Sequence, residues 1–176
     1  MNALAAFLAL PPVLAPVIAQ RAKIKMEHCM FKRLLLAFDG STHSRKALSY
    51  AMRMAEVLGA ELWILHAYSP VTSSSPLDDV DEFLDLEKAE ALRIMSPAMI
   101  NAERTGVIVH PAIVEGPPAE AIVRVAAEQG CDLIIMGRRG LSPMGQTLLG
   151  SVSDHVLNLT DVPILITHAT TDEAVN

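Results

Sequence analysis

The amino-acid sequence predicts an α/β sandwich: a five-stranded, mostly parallel sheet in the order 3-2-1-4-5 with helices on both faces. Three observations carry that expectation. From Lys32 onward, short apolar runs alternate with apolar stripes at helical spacing, the pattern of repeated βαβ units. Apolar residues make up 51% of the chain but aromatic ones only 4%, so the core is built from Leu, Ile, Val, Ala and Met, as in parallel sheets covered by helices. Pro111 interrupts the third apolar run, and a proline cannot donate to a central ladder, so that strand belongs at an edge.

Each element follows in order. Leu34 to Phe38 is a buried strand that stops at Asp39-Gly40-Ser41. A helix begins at once, with Ala47, Leu48, Ala51, Met54, Ala55 and Leu58 on one face, Ser41 or Thr42 as its cap and Gly59 at its end. Glu61 to Ala67 is the second strand, and the Ser/Pro-rich stretch from Ser69 to Pro76 is an exposed loop. The acidic segment from Asp78 opens a long helix carrying Phe83, Leu84, Ala91, Leu92, Met95 and Met99, which Pro97 is expected to kink or split. Val107 to Val114 is the third strand; Pro117 and Pro118 suit the first turn of a helix through Ile122, Val125 and Ala126 to Gly130. Asp132 to Met136 is the fourth strand, Gly137 to Leu149 a loop, a last helix begins near Ser151, and Val162 to Thr167 is the fifth strand. In this strand order the chain reverses between strands one and four, and the crevice at their carboxyl ends is the default ligand site.

The first thirty residues stand apart. Met1 to Ala19 is almost wholly apolar, but Pro11, Pro12 and Pro16 break any spanning helix. Val17-Ile18-Ala19 resembles a signal cleavage site, yet no Lys or Arg precedes the apolar run. Residues 1–30 are therefore read as a weakly ordered, dispensable extension, 31–170 as the domain and 171–176 as a tail. The formal charge is −6, and eleven basic against nineteen acidic residues lie after residue 30. So acidic a surface, without a Lys/Arg stripe, argues against nucleic-acid binding. Cys29 and Cys131 have no partners at metal-ligand spacing, which suits a reduced, cytoplasmic chain.

Chemistry concentrates after strand four, where Gly137-Arg138-Arg139-Gly140 is followed by nine residues and then Gly150-Ser151-Val152-Ser153. Glycines at these intervals admit a ligand to the backbone, and a helix starting at Ser151 turns free N–H groups toward it. That is a phosphate-binding pattern, although a glycine loop and a capped helix also occur where nothing binds. Ser151 and Ser153 add hydroxyl donors, and Ser151 with Asp154 matches a capping box.

Asp132 to Gly140 followed by Leu148 to Ser153 resembles the nucleotide loop of the universal stress protein family. Leu35 to Ser44 is similar to that family's first strand and Asp-Gly-Ser turn, Leu62 to Tyr68 to its second strand, and the Gly116 region and Val162 to Ile166 complete the likeness. The glycine spacing is that of the ATP-binding branch. The resemblance implies a Rossmann-like, adenine nucleotide alpha hydrolase-like three-layer sandwich that binds ATP with Mg2+. It places Ala37, Phe38 and Asp39 at the base and ribose end and Ala67 against adenine. It sets Met136, Gly137 and Gly140 beside sugar and phosphates, and Gly150, Ser151, Val152 and Ser153 on the phosphates. Arg138 stands where a small residue is common; it either clamps phosphate with its planar fork or crowds the entrance. Asp39 either orders its turn or binds ribose or a phosphate-bound magnesium ion.

Other chemistries lack their signatures. No glycine-rich dinucleotide fingerprint follows strand one, and the loop has no Walker lysine. Ser153-Asp154-His155 is not a triad, because neighbours on a helix do not face one another. His66 reads as a packed strand histidine rather than a catalytic one. Slow ATP hydrolysis would have only Asp39 as a base and Arg138 or Arg139 as a finger. The expected function is thus ATP binding in a stress-related or regulatory role, through nucleotide-dependent contact with an unidentified protein, in a homodimer joined by the fifth strand. The alternative is a scaffold of the same fold that binds no nucleotide.

Overall fold

The computed structural model describes residues 30–68, 80–138 and 149–169. The elements run β1 (Arg33–Ala37), α1 (Thr42–Leu58), β2 (Glu61–Tyr68), α2 (Val80–Thr105), β3 (Val109–Glu115), α3 (Pro118–Glu128), β4 (Leu133–Gly137), α4 (Ser151–Leu159) and β5 (Ile164–Thr167). All four pairings are parallel, in the order β3-β2-β1-β4-β5, so the expected topology is the observed one. Residues 1–29, the 69–79 segment, the 139–148 loop and the 170–176 tail, with the expectations made for them, lie outside the described residues.

Strand alternation divides the core in two. Leu34, Leu36 and Phe38 of β1 and the turn after it join Leu62, Ile64, Leu133 and Ile135 under α1 and α2. Leu35, Leu65, Ile134 and Met136 face the other way, onto Ala119, Ile122 and Val125 of α3 and Val156 of α4. The three central strands are therefore apolar on both faces, which is why they read as continuous runs in the sequence.

The helix boundaries obey their local chemistry. Ser41 caps α1 by accepting the Ser44 N–H at 3.2 Å, and Gly59 closes it in the left-handed conformation at φ 66°. Pro97 neither splits nor ends α2, which is continuous from Val80 to Thr105. A proline at 97 leaves the carbonyl of Arg93 without its usual helical donor, and the Ser96 hydroxyl supplies one at 2.9 Å. The buried line of α2 is Ala91, Met95, Ala98 and Ala102; Leu92, expected on that stripe, is 54% exposed because it falls on the next face of the helix. Pro111 sits on the outermost strand β3, as expected, and is exposed.

A carboxylate clasps the amino end of the sheet. Asp132, just before β4, accepts the main-chain N–H groups of Lys32 at 2.7 Å and Arg33 at 3.1 Å, joining the starts of β4 and β1. Its neighbour Cys131 is buried, and that burial, with the Asp132 charge second, pushes the thiol up to about 11. The thiol is consequently neutral and inert near neutrality. Iodoacetamide at pH 8 is expected to label Cys131 at under about a tenth of its rate in denatured protein, read on the tryptic peptide. Equal rates would show that the site opens freely.

Candidate functional site

The topological switch point lies between β1, the central strand, and its neighbour β4, whose connections run to opposite faces of the sheet. At the carboxyl end of β4 the described residues end at Arg138, before the 139–148 excursion, and resume at Leu149. The excursion is closed at its base: the Gly150 N–H donates to the Arg138 carbonyl at 2.8 Å, and the Arg138 N–H donates to the Thr167 carbonyl of β5 at 2.7 Å. Gly140 and Arg139 fall within the excursion, outside the described residues.

Helix α4 opens at this closure. Gly150 is its N-cap, and no side chain caps it, so the capping box expected of Ser151 and Asp154 is not formed. Asp154 is the first residue whose N–H finds a helical acceptor, the Gly150 carbonyl at 2.9 Å. The amides of Ser151, Val152 and Ser153 are therefore, among the described residues, the donors that a helix start leaves without an intrahelical acceptor, with the positive end of its dipole behind them. Ser151 is exposed and Val152 half-buried. Ser153 is only 2% exposed, and its hydroxyl turns inward, donating to the carbonyls of Gly137 at 3.1 Å and Arg138 at 3.3 Å. It can offer an anion its main-chain N–H, while its hydroxyl serves as a latch between α4 and the root of the loop.

Gly137 is also packed tightly against α1. A Cβ there would stand 2.7 Å from the His43 Cβ, 2.8 Å from the His43 carbonyl carbon and 2.9 Å from the Ser44 nitrogen. The missing side chain admits the first turn of α1, so Gly137 is a close-packing glycine between helix and strand. Thr167, which sequence reasoning did not single out, supports the same corner. It is 5% exposed, its carbonyl receives Arg138, and its hydroxyl lies 3.3 Å from the His43 carbonyl. A buried threonine ending an otherwise apolar strand is the signal that could have found it.

On the base side, the expected set is only partly assembled. Ala37 and Met136 pack on the α3/α4 side, and Ala67 shares that side by alternation with Leu65. Phe38 does not join them. Its ring is 4% exposed inside the α1/α2 core, its N–H donates to Leu65 O at 2.8 Å and its carbonyl is held by His66 Nδ1 at 2.9 Å. The period of two that places Ala37 toward α4 necessarily points Phe38 away. Asp39 is half-buried, with Oδ1 accepting the Ser41 N–H at 3.0 Å, so one oxygen orders the turn. Among the described residues no cluster of three His, Cys, Asp or Glu could hold a metal ion by itself, so a cation here would need a ligand's oxygens as well as Asp39.

Arg138 directly follows β4 at this corner. Its Nε is buried and has no hydrogen-bond partner among the described residues. A parallel sheet in the order β3-β2-β1-β4-β5, with helices on both faces and a helix starting at its switch point, defines a doubly wound, Rossmann-like α/β protein. The universal stress protein family model matches residues 30–168, and the chain belongs to that family. It is 38% identical over 139 residues to a universal stress protein of Thermus aquaticus, a match covering 78% of this chain and 98% of that one. It is 39% identical over 146 residues to universal stress protein YxiE of Bacillus subtilis, covering 78% and 99%. Among solved structures, MJ0577 of Methanocaldococcus jannaschii superposes with a TM-score of 0.74 at 29% identity, covering 81% of this chain and 99% of that one. A universal stress protein crystallised in complex with cAMP superposes with a TM-score of 0.61 at 28% identity, covering 80% and 98%.

Proposed function

We propose that this protein is an ATP-binding universal stress protein that acts in the cytoplasm as a regulatory module, through nucleotide-dependent contact with another protein. The observation that carries the reading is the start of α4 at the switch point: among the described residues no side chain caps it, its N-cap Gly150 is hydrogen-bonded to the Arg138 carbonyl, and the buried Arg138 Nε has no partner. Phosphate is the ligand chemistry such a corner fits. Gly150, Ser151, Val152 and Ser153 would hold phosphates through main-chain N–H groups, Gly140 would let the loop approach them, and Arg138 would clamp rather than crowd. Gly137 and Met136 would wall the sugar side. The adenine would rest against the small side chains of Ala37 and Ala67. The Oδ2 of Asp39 would meet ribose or a magnesium ion carried in by the nucleotide. The cAMP complex of a relative supports an adenine nucleotide in particular. Among the described residues no helix is long and apolar enough to cross a membrane.

Calorimetric titration of the whole chain with ATP, with and without Mg2+, tests the reading, with GTP and cAMP as controls for base and phosphate number. Saturable ATP binding at a ratio of one is expected. Heat no greater than buffer dilution would leave a scaffold that binds no nucleotide.

The partner expectation has an edge to work with. Among the described residues β5 pairs with β4 alone, and its residues Ile164, Leu165 and Ile166 are half-buried, whereas the opposite edge, β3, carries the exposed Pro111. A proline blunts an edge and an apolar strand invites pairing. The protein is therefore proposed to be a homodimer through β5. Light scattering behind size exclusion is expected to return a dimer mass across a wide dilution series; a monomer at every concentration would remove the idea.

A further inference from the structure

We propose that His66 is the positioning residue for the base and ribose end of the site, holding the Asp39-Gly40 turn in place through the Phe38 carbonyl. The inference rests on the ATP-binding reading for its functional consequence and on the geometry alone for its structural one. The β1–β2 ladder runs in register from Arg33↔Glu61 to Ala37↔Leu65 and extends by one further bond, from the Phe38 N–H to Leu65 O at 2.8 Å. Beyond it the chain must leave the sheet, and Gly40 turns it in the left-handed conformation at φ 76°. The carbonyl at the point of departure is that of Phe38, and a side chain takes it: His66 Nδ1 lies 2.9 Å away. A carbonyl only accepts, so Nδ1 carries the proton of this bond.

Two further hydrogen bonds of the turn are internal to it and to the first turn of α1. Asp39 Oδ1 accepts the Ser41 N–H at 3.0 Å, and Ser41 Oγ accepts the Ser44 N–H at 3.2 Å. They fix the residues relative to one another and to α1. The His66 bond ties the whole turn to β2. By strand alternation, the ring stands on the α1/α2 side of the sheet, opposite Ala37 and Ala67, so it does not line the crevice. It acts through Phe38, and the peptide it grips is the one that delivers Asp39.

Three full-length proteins test this: wild type, His66→Asn, which keeps an N–H donor close to the Nδ1 position, and His66→Leu, which fills the space without one. ATP titration is expected to give His66→Leu an affinity weaker by about tenfold, the loss of one half-buried hydrogen bond, and His66→Asn one within about threefold of wild type. Without nucleotide, the Ser41 amide is expected to exchange with deuterium faster in His66→Leu and to regain protection in His66→Asn. If both variants lose melting temperature alike while affinity and Ser41 protection stay at the wild-type level, His66 merely packs and the proposal is overturned. A wild type that binds no ATP overturns the functional reading and the consequence claimed for affinity, whereas unchanged Ser41 exchange in His66→Leu overturns the positioning itself.

Discussion

Gly137→Ala is expected to lower the melting temperature by about 10 °C, on the order of 3 kcal/mol for a chain of this size, the upper end of what overpacking costs. The added methyl would meet the His43 Cβ at 2.7 Å, the His43 carbonyl carbon at 2.8 Å and the Ser44 nitrogen at 2.9 Å. Two of these three are backbone atoms, so no rotamer change relieves them. Relief requires moving the first turn of α1 off the end of β4, and that turn is anchored by the Ser41 cap, by the Ser44 hydroxyl bonded to the Ser41 carbonyl at 3.0 Å and by the Thr167 hydroxyl near the His43 carbonyl. Leu36 and Ala47, both wholly buried, lie in the same core and would lose packing with it. Urea denaturation followed by circular dichroism measures the change. A midpoint equal to wild type would mean that α1 glides freely over β4 and that the close approach has no energetic weight.

Most of the fold was legible because its signals are local. The period of the apolar residues, Ser41 at a helix start, Gly59 at a helix end and Pro111 in an edge strand each report on a few neighbouring residues, and together they fix the strand order. The differences arise where a residue answers to a partner far away in sequence. Gly137 and His43 are distant in the chain, so a glycine that makes room for a helix is indistinguishable, in sequence, from one that makes room for a ligand. Ser153 looked like a phosphate donor because its hydroxyl acceptors, Gly137 and Arg138, become neighbours only when α4 folds back over β4. Pro97 was read without Ser96, whose hydroxyl takes the carbonyl that the proline leaves. Phe38 is different in kind: simple alternation along β1 would have separated it from Ala37.

Gly150→Val is the complementary expectation: affinity for ATP should fall by more than about a hundredfold while the fold survives. Gly150 has φ −74° and ψ 157°, extended backbone that an L-residue adopts without strain, and valine favours that region. Its own polar groups are both used within the protein, the N–H on Arg138 and the carbonyl on Asp154, and a side chain disturbs neither bond. The structural penalty is thus limited to valine being a poorer N-cap than glycine, about 1 kcal/mol or less, a few degrees of melting temperature. Function meets the opposite balance. The amides of Ser151, Val152 and Ser153 point toward the N-terminal end of α4, where Gly150 lies, and a branched side chain there would separate a phosphate from those donors by roughly the width of a methyl group. Hydrogen bonds and helix-dipole attraction both fall steeply over that distance, and an acidic protein has little bulk attraction for a polyanion to compensate. Differential scanning calorimetry and ATP titration on the same sample read the two effects separately. A folded Gly150→Val protein that binds ATP as wild type does would move the phosphates away from α4, even if nucleotide binding itself were secure.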